Sequence, residues 1–291
     1  MQIQRTPTYV VPIPKQDPMA KLLRGWLPKS WRHAILRRKN ILRQHIFFTL
    51  CQRYPKMMRR FIRKTNAQRL PKDYAVDQHF NPPYDPWDQR LCAVPDGDLF
   101  RCLRSGRCSI VTGRIRTFVE NGIEMEDGAV VDADIIVTAT GLNLKLMGGA
   151  EYRIDGEVVD WSDHIVFKGM MLDAVPNFVM AMGYTNSSWT LKIGLICQHF
   201  CRLLSEMDQQ GMGICVPVRP ATDMKLRPLL DFGAGYVKRS VDKLPRQGDA
   251  FPWQMTFDYD EDKKMMRRGQ VLEPELSLSP FPQNERMDGL S

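Results

Sequence analysis

Four stretches of this 291-residue chain carry residue types able to hold an anion or a developing negative charge. Arg90 closes the run Tyr84-Asp85-Pro86-Trp87-Asp88-Gln89, and three prolines in five residues (82, 83 and 86) keep regular structure out of it. An arginine on a stiff loop is a candidate anion stabiliser, because its guanidinium stays charged and presents five donors. A salt bridge to Asp85 or Asp88 explains the same residue. Arg5 and Thr6 end a β-rich start, and Pro7 biases Thr6 away from helix. A base and a hydroxyl at a strand's end can receive a phosphate, whereas a solvated Arg5 is the plainer reading. Asn186, Ser187, Ser188, Trp189, Thr190 and Leu191 open a helical pattern just after Gly183. Backbone N–H groups and the helix dipole there suit an anion or a carbonyl oxygen. A helix capped by Ser187 or Ser188 accounts for the same residues. Finally, residues 132–142 run from acids through Ile135-Ile136-Val137 to Ala139-Thr140-Gly141. This reads as a buried parallel strand. Its small residues would let a flat ligand approach the carboxyl end, where cofactors sit in open α/β sheets. A plain core strand with a glycine turn is the alternative.

The elements that must position these residues follow from periodicity. Residues 1–11 alternate as a strand, and residues 12–29 form a connector with four prolines. Residues 31–53 repeat apolar side chains near every 3.6 positions, with Ser30 as candidate N-cap. Pro55 opens a second helix to about residue 69, striped by Met57, Met58, Phe61 and Ile62. A short strand is expected at 91–94 and a short helix at 99–104. Strands at 109–112, 115–119 and 123–125, with turns at Asn121-Gly122 and Asp127-Gly128, make an antiparallel meander that feeds the 135–140 strand. Asp155-Gly156 suggests another hairpin. A second buried strand is expected at 176–183, a helix at 190–210, and a helix at 226–244 broken at Gly233 and Gly235.

Composition bounds the function. Hydrophobic content of 43% with 25% charged residues is that of a soluble globular protein. The first 18 residues are polar and proline-punctuated, so no secretory leader is expected. The longest uncharged run, 174–191, contains Pro176 and Gly183 and is no membrane span. Seven scattered cysteines without a CxxC point to a reduced, cytoplasmic protein. Net charge is +8 but uneven: residues 15–72 hold 17 Lys/Arg against one acid, Asp17, a net of +16, which leaves −8 elsewhere. The two basic helices invite three readings. One is a solvated face on core-packed helices. Another is peripheral attachment to anionic lipid. The third, nucleic-acid binding, is the weakest, because the aromatics fall on the apolar stripe and no nucleic-acid module is present.

Together these pieces resemble the C-terminal part of the flavin-dependent monooxygenases that use FAD and NADPH, in the Baeyer–Villiger branch and close to the mycobacterial ethionamide-activating type. The resemblance rests on Gln4-Arg5-Thr6-Pro7, residues 84–90 (YDPWDQR), 95–100 (PDGDLF), 134–142, 168–172 (KGMML) and 183–192 (GYTNSSWTLK). Weaker matches are Leu230-Asp231-Phe232, Gly235-Tyr236-Val237 and Pro252-Trp253. The family's two GxGxxG fingerprints are not in this sequence, so the resemblance implies a fragment that holds FAD weakly or not at all.

What the resemblance implies is an α/β fold: a partial two-dinucleotide-binding-domain flavoprotein of incomplete Rossmann-like domains, with a helical insertion and an antiparallel β meander. Residues 1–141 would be the C-terminal part of an NADPH domain, with the insertion at about 20–72. Residues 142–275 would be the C-terminal part of an FAD domain, and 276–291 a disordered tail. The reaction implied is oxygen insertion beside a ketone, or S- or N-oxygenation, through a flavin C4a-peroxide. Arg90 would stabilise the peroxide and the adduct. Arg5 and Thr6 would hold the ribose 2′-phosphate, and Gln89 would lie beside the nicotinamide nucleotide. Ala139, Thr140 and Gly141 would line the contact between cofactors. Asn186, Ser187, Ser188, Trp189, Thr190 and Leu191 would cap the flavin's pyrimidine edge. The partners implied are a ketone or sulfide and O₂, with no nucleic acid; no oligomeric state is read from the sequence. The competing function is a non-catalytic remnant that binds a membrane surface or a partner through basic residues 15–72.

Overall fold

The computed structural model describes residues 1–281 except Arg90, Thr222, Asp231, Phe232 and Ala234. It is a mixed α/β structure that divides into two compact units, Met1–Gly141 and Leu142–Ser291. Among the described residues no helix is long and apolar enough to cross a membrane.

The first unit starts with β1 (Gln2–Gln4) and β2 (Val10–Ile13). Helix α1 (Pro18–Leu22) is capped by Asp17, whose carboxylate accepts from the Met19 N–H at 3.0 Å. Helix α2 (Lys29–Arg53) follows, one residue ahead of the expected Ser30 cap, so Pro28 is its N-cap and offers no side-chain hydrogen bond. Pro55 opens α3 (Pro55–Ala67) as its first residue, where a missing N–H is harmless. Helix α4 (Val76–Phe80) leads to the proline loop, β3 (Cys92–Pro95), helix α5 (Asp98–Arg104) and β4 (Ile110–Thr112). Strand β2 pairs with β3, and β1 with β4, both in parallel. The 109–112 strand therefore joins the N-terminal strand and not the meander. Val10, Leu70, Phe80, Phe100, Leu103 and Ile110 form the core beneath, with Phe80 stacked on Phe100 at 5.6 Å between centroids. The meander is β5 (Ile115–Val119), β6 (Gly122–Met125) and β7 (Val130–Asp132). Gly122 is required in it: a Cβ there would lie 2.1 Å from the Val131 carbonyl oxygen.

The expected buried strand at 135–140 does not form. Residues 135–140 form no strand and pair with no described neighbour, with Ile135 82% and Val137 84% exposed. The run has strand composition, yet a strand needs a hydrogen-bonding neighbour. The meander closes just before it, where Ala133 N–H donates to the Asn121 carbonyl at 3.0 Å. Past that point no described strand lies alongside.

Among the described residues, the strand pairs of the second unit are antiparallel, beside one isolated parallel bridge between Ile165 and Arg246. Strands β8 (Arg153–Ile154) and β9 (Glu157–Val158) form the expected hairpin around Asp155-Gly156. A second hairpin joins β10 (Val166–Phe167) to β11 (Met171–Leu172). Residues 176–183, expected as a strand, form an irregular segment instead. Asn177 adopts φ +51° and exchanges hydrogen bonds with the Cys215 main chain, which turns the segment away from any ladder. Helix α6 (Trp189–Gln209) is the central element. It is followed by β12 (Ile214–Pro217), β13 (Arg227–Pro228), the one-turn helix α7 (Gly235–Lys238), β14 (Arg246–Gln247), α8 (Tyr259–Arg268) and β15 (Leu276–Ser279). In place of the expected helix at 226–244, broken at Gly233 and Gly235, the described residues there form β13, α7 and a short 3₁₀ turn at Val241–Lys243. Residues 276–279, expected as part of a disordered tail, pair with β12. Their Leu-Ser-Leu-Ser alternation is a strand period.

Helix α6 buries Leu191, Leu195, Ile196, Leu203 and Met207 along one face, the last four in a core with Met266 of α8, Phe167, Met171 and Trp253. Burying each large aliphatic side chain contributes about 1.5–3 kcal/mol before the cost of ordering it.

Candidate functional site

Two segments bring candidate residues to defined positions, one in each unit. In the second unit the segment 183–192 turns into α6. Gly183 lies under the Trp189 ring; a Cβ there would approach that ring to 2.4 Å, so only glycine admits the turn. Ser188 is the N-cap of α6 but makes no side-chain cap bond, and the first turn of the helix holds no acid. Its hydroxyl instead meets Thr190 Oγ1 at 3.2 Å. Asn186 donates from Nδ2 to the Phe257 carbonyl at 3.1 Å, while its Oδ1 is buried without a partner. Trp189 and Thr190 are exposed and Leu191 is buried. An uncapped helix N-terminus beside an unpaired amide oxygen offers donors and an acceptor together. That pattern suits the edge of a flat heterocycle bearing both carbonyls and an N–H.

What holds this turn is a buried polar cluster. Tyr184 donates to Asp262 Oδ2 at 2.6 Å, and Lys192 Nζ lies 3.0 Å from the same oxygen. Thr256 donates to Asp262 Oδ1 at 2.5 Å, and Lys192 also donates to the Thr256 carbonyl at 2.6 Å. Asp262, Lys192 and Tyr184 are all essentially inaccessible. Burial holds the Lys192 ammonium below the usual lysine range against the pull of Asp262. Burial, helped by Asp262, raises the Tyr184 phenol. A second buried lysine, Lys168, pins the β10–β11 turn to the Gln270 carbonyl at 2.8 Å and to Glu273 at 2.7 Å.

In the first unit, Arg5 and Thr6 follow β1 and are exposed; among the described residues no ion pair involves Arg5. A cationic side chain and a hydroxyl at the carboxyl end of a parallel strand fit a phosphate. The connection that follows is tied to the proline loop. Tyr9 donates to the Tyr84 carbonyl at 2.7 Å, Tyr84 donates to Thr8 Oγ1 at 3.2 Å, and the two rings meet edge to face at 5.6 Å. From the other side Arg59 of α3 donates to Asn81 Oδ1 at 3.0 Å and to the Pro82 carbonyl at 2.6 Å. Within the loop Asp88 accepts from the Asp85 N–H at 3.0 Å, and Trp87 sits at φ +76° with its ring edge-on to Phe48. A bulky residue in the left-handed region is strained, and such strain concentrates where a side chain must be aimed. Gln89 is half-buried and bridges Pro86. Arg90 itself lies outside the described residues. Asp85 and Asp88 make no described ion pair, so neither is taken up by a described cation.

Ala139, Thr140 and Gly141 end the unpaired irregular segment. All three are exposed, with Gly141 at φ +111°. The structure places them in the first unit but builds no cradle around them there.

The sequence reading missed Tyr184, Lys192, Thr256 and Asp262 as the support of the α6 turn. One signal was present: Lys192 falls on the apolar face between Leu191 and Leu195, and a buried lysine must have a partner.

Comparison with known proteins bears on what this site serves. No protein-family model matches the chain. It is 45% identical over 280 residues to the FAD-containing monooxygenase EthA of Mycobacterium tuberculosis, which covers 96% of this chain and 57% of that protein. It is 40% identical over 266 residues to the probable FAD-binding monooxygenase AlmA of Acinetobacter baylyi, covering 91% of this chain and 53% of that one. The chain thus spans somewhat over half the length of the curated relatives it matches. Among solved structures it is similar to an oxidised steroid monooxygenase bound to NADP, with a TM-score of 0.63 at 15% identity, covering 96% of this chain and 62% of that one. It is also similar to OTEMO complexed with FAD and NADP, with a TM-score of 0.55 at 19% identity over 75% of this chain and 49% of that one. These likenesses establish the fold.

Proposed function

We propose, on the premise of this homology to part of the FAD-containing monooxygenases, that the chain supplies the binding and oxygenation residues of an FAD- and NADPH-dependent monooxygenase of the Baeyer–Villiger type. The observation that carries the reading is the 45% identity that runs along 96% of the chain. The geometry supports it: the unpaired Asn186 Oδ1 beside the uncapped N-terminus of α6 fits a flavin's pyrimidine edge, and exposed Arg5 and Thr6 fit a nucleotide phosphate. On this reading Met1–Gly141 is part of an NADPH-binding domain, with an insertion at about 20–72, and residues 142–275 are part of an FAD-binding domain.

When bound, the flavin supplies oxygen activation at the expense of NADPH. The chain's own residues then do the rest. Asn186 accepts from a ring N–H, while the first N–H groups of α6 donate to ring carbonyls. Ser187, Ser188, Trp189, Thr190 and Leu191 shape that edge. Arg5 and Thr6 select the 2′-phosphate, and Gln89 orients the nicotinamide end. Ala139, Thr140 and Gly141 leave room for a cofactor to approach. Arg90 supplies a fixed positive charge where oxygen becomes negative, as a preorganised cation does at an oxyanion site. The substrates are a ketone or a sulfide together with O₂. The protein is placed in the cytoplasm, and its basic helices allow peripheral attachment to a membrane.

The test is NADPH-dependent oxygenation of a cyclic ketone and of a sulfide by an FAD-loaded protein that carries this chain together with both GxGxxG segments, and by its Arg90→Ala variant. Ester and sulfoxide should fall by about 10²–10³-fold while NADPH oxidation persists. Undiminished product from the variant removes Arg90 from this role, and absence of any NADPH oxidation in the parent removes the function.

A further inference from the structure

We infer that the α1–α2 arm of the first unit is a docking surface for an anionic lipid membrane, on which the arm lies without crossing. The inference rests on exposed faces of this chain and stands apart from the flavin reading. Four apolar residues of α2 face solvent: Trp31, Ile35, Leu42 and Ile46. On a helix with 3.6 residues per turn they fall within an arc of about 60°. The end of α1 adds Leu22, and the turn before α2 adds Trp26, which is 86% exposed. Cys51, near its C-terminal end, is the one fully buried residue of α2.

The neighbouring helix shows that this exposure is particular to the arm. Helix α3, also basic, buries Met58, Ile62 and Asn66, and its Arg59 and Arg63 bind the α4 region. Along its first two-thirds α2 has no buried residue, and Lys39 there is tied to Asp17, the cap of α1.

The chemistry flanking the stripe selects the partner. Arg32 and Arg43 border one edge and Arg38 the other, and no described ion pair engages any of them. The single acid of residues 15–72, Asp17, is already bound to Lys39. An apolar stripe with tryptophans at one end and arginines on its flanks matches a helix lying in the headgroup region. There the stripe enters the acyl boundary, the indoles sit at headgroup level and the cations meet anionic lipid. Nucleic acid would meet the same charges but has no use for an exposed Leu42–Ile46 stripe.

The purified protein is mixed with phosphatidylcholine vesicles made with and without phosphatidylglycerol, and partition is followed by co-sedimentation and tryptophan emission. The protein should sediment with the phosphatidylglycerol vesicles, with a blue-shifted emission, and release as salt rises. Arg32→Gln and Arg43→Gln should each weaken partition about fivefold. Trp31→Glu combined with Leu42→Glu should abolish it, while Phe118→Glu, at an exposed apolar position of the meander, should leave it unchanged. All these positions are exposed except half-exposed Arg32, and circular dichroism identifies any variant that fails to fold. The proposal is overturned by equal partition on phosphatidylcholine alone, or by no partition. It is equally overturned by binding to RNA in preference to vesicles. A self-associated form that the double variant turns into a monomer without vesicle binding overturns it as well.

Discussion

The two candidate segments are held in place by opposite physical means. The α6 turn of the second unit rests on a lysine and an aspartate taken wholly out of water, with a phenol and a hydroxyl completing the carboxylate's bonds. The proline loop of the first unit rests on neutral bonds from Tyr9 and Tyr84, on Arg59 reaching main-chain and amide oxygens, and on aromatic contacts. A buried ion pair is a poor source of net stability but fails abruptly when one partner is lost. Neutral bonds at a half-exposed surface fail gradually. The α6 turn of the second unit is therefore expected to fail all at once, and the proline loop of the first to adjust by degrees. Each prediction below separates the two.

The largest effect is expected from Asp262→Ala. It leaves Lys192 charged and buried and removes the acceptor of Tyr184, so the second unit should lose about 3–5 kcal/mol. Chemical denaturation followed by the fluorescence of Trp253, which packs in that core, measures it. A loss below 1 kcal/mol would mean that water enters and replaces the carboxylate.

The next effect is a pH dependence confined to the second unit. His199 of α6 is buried with Nδ1 3.1 Å from the Met266 carbonyl. Burial, with Lys168 and Arg202 nearby, lowers its pKa from 6.5 to about 4. The unfolded chain thus binds a proton that the folded chain refuses. The stability this group contributes is complete above pH 6.5 and is lost as pH falls from there through about 4, to a total of roughly 3 kcal/mol. His199→Gln keeps a donor for Met266 and does not titrate, so the acid limb of a stability–pH curve should flatten. An unchanged limb places the acid sensitivity elsewhere.

How far these features were legible depends on the range of the interactions that create them. Helix α6 was readable because its stripe is local, and the β5–β6 hairpin because Asn121-Gly122 marks a turn between two strand runs, although the loop that forms is Glu120-Asn121 with Gly122 paired to Val119. Lys192 was visible as an anomaly on an apolar face, but its partner lies 70 residues away in a helix of charged residues. No local pattern distinguishes Asp262 from Asp260 or Glu261. The 135–140 run misled for the converse reason. Ile135-Ile136-Val137 has every local property of a strand, and strand formation was decided by a neighbour that the described chain does not place there. The motifs 84–90 and 183–192 were legible as sequence. The strained Trp87 and the unpaired Asn186 Oδ1 emerge only in three dimensions.

A smaller effect is expected in the first unit from Tyr9→Phe. The variant removes the bond to the Tyr84 carbonyl but keeps the ring contact, so about 1 kcal/mol is lost. The signature is local: the Asp85 and Asp88 amides, bonded within the loop, should exchange with solvent faster while the second unit is unaffected. A loss as large as that of Asp262→Ala would erase the contrast between the two segments.

The smallest effect sharpens the contrast most directly, since it compares ion pair with ion pair. Arg63 of α3 donates to both oxygens of Asp77 at 2.6 Å, a bidentate geometry better than that of Lys192 and Asp262. Both side chains are nonetheless solvent-accessible. Water screens the attraction, and ordering two long side chains opposes it, so Arg63→Ala should cost about 0.2–1 kcal/mol and a double-mutant cycle with Asp77→Ala should return a coupling of the same size. Raised salt should erase that coupling while leaving the Lys192–Asp262 coupling intact, because ions screen the exposed pair and cannot reach the buried one. If the two couplings respond alike to salt, burial is not what distinguishes the supports. Helix α3 would then be held by its charges, with Met58 and Ile62 contributing little.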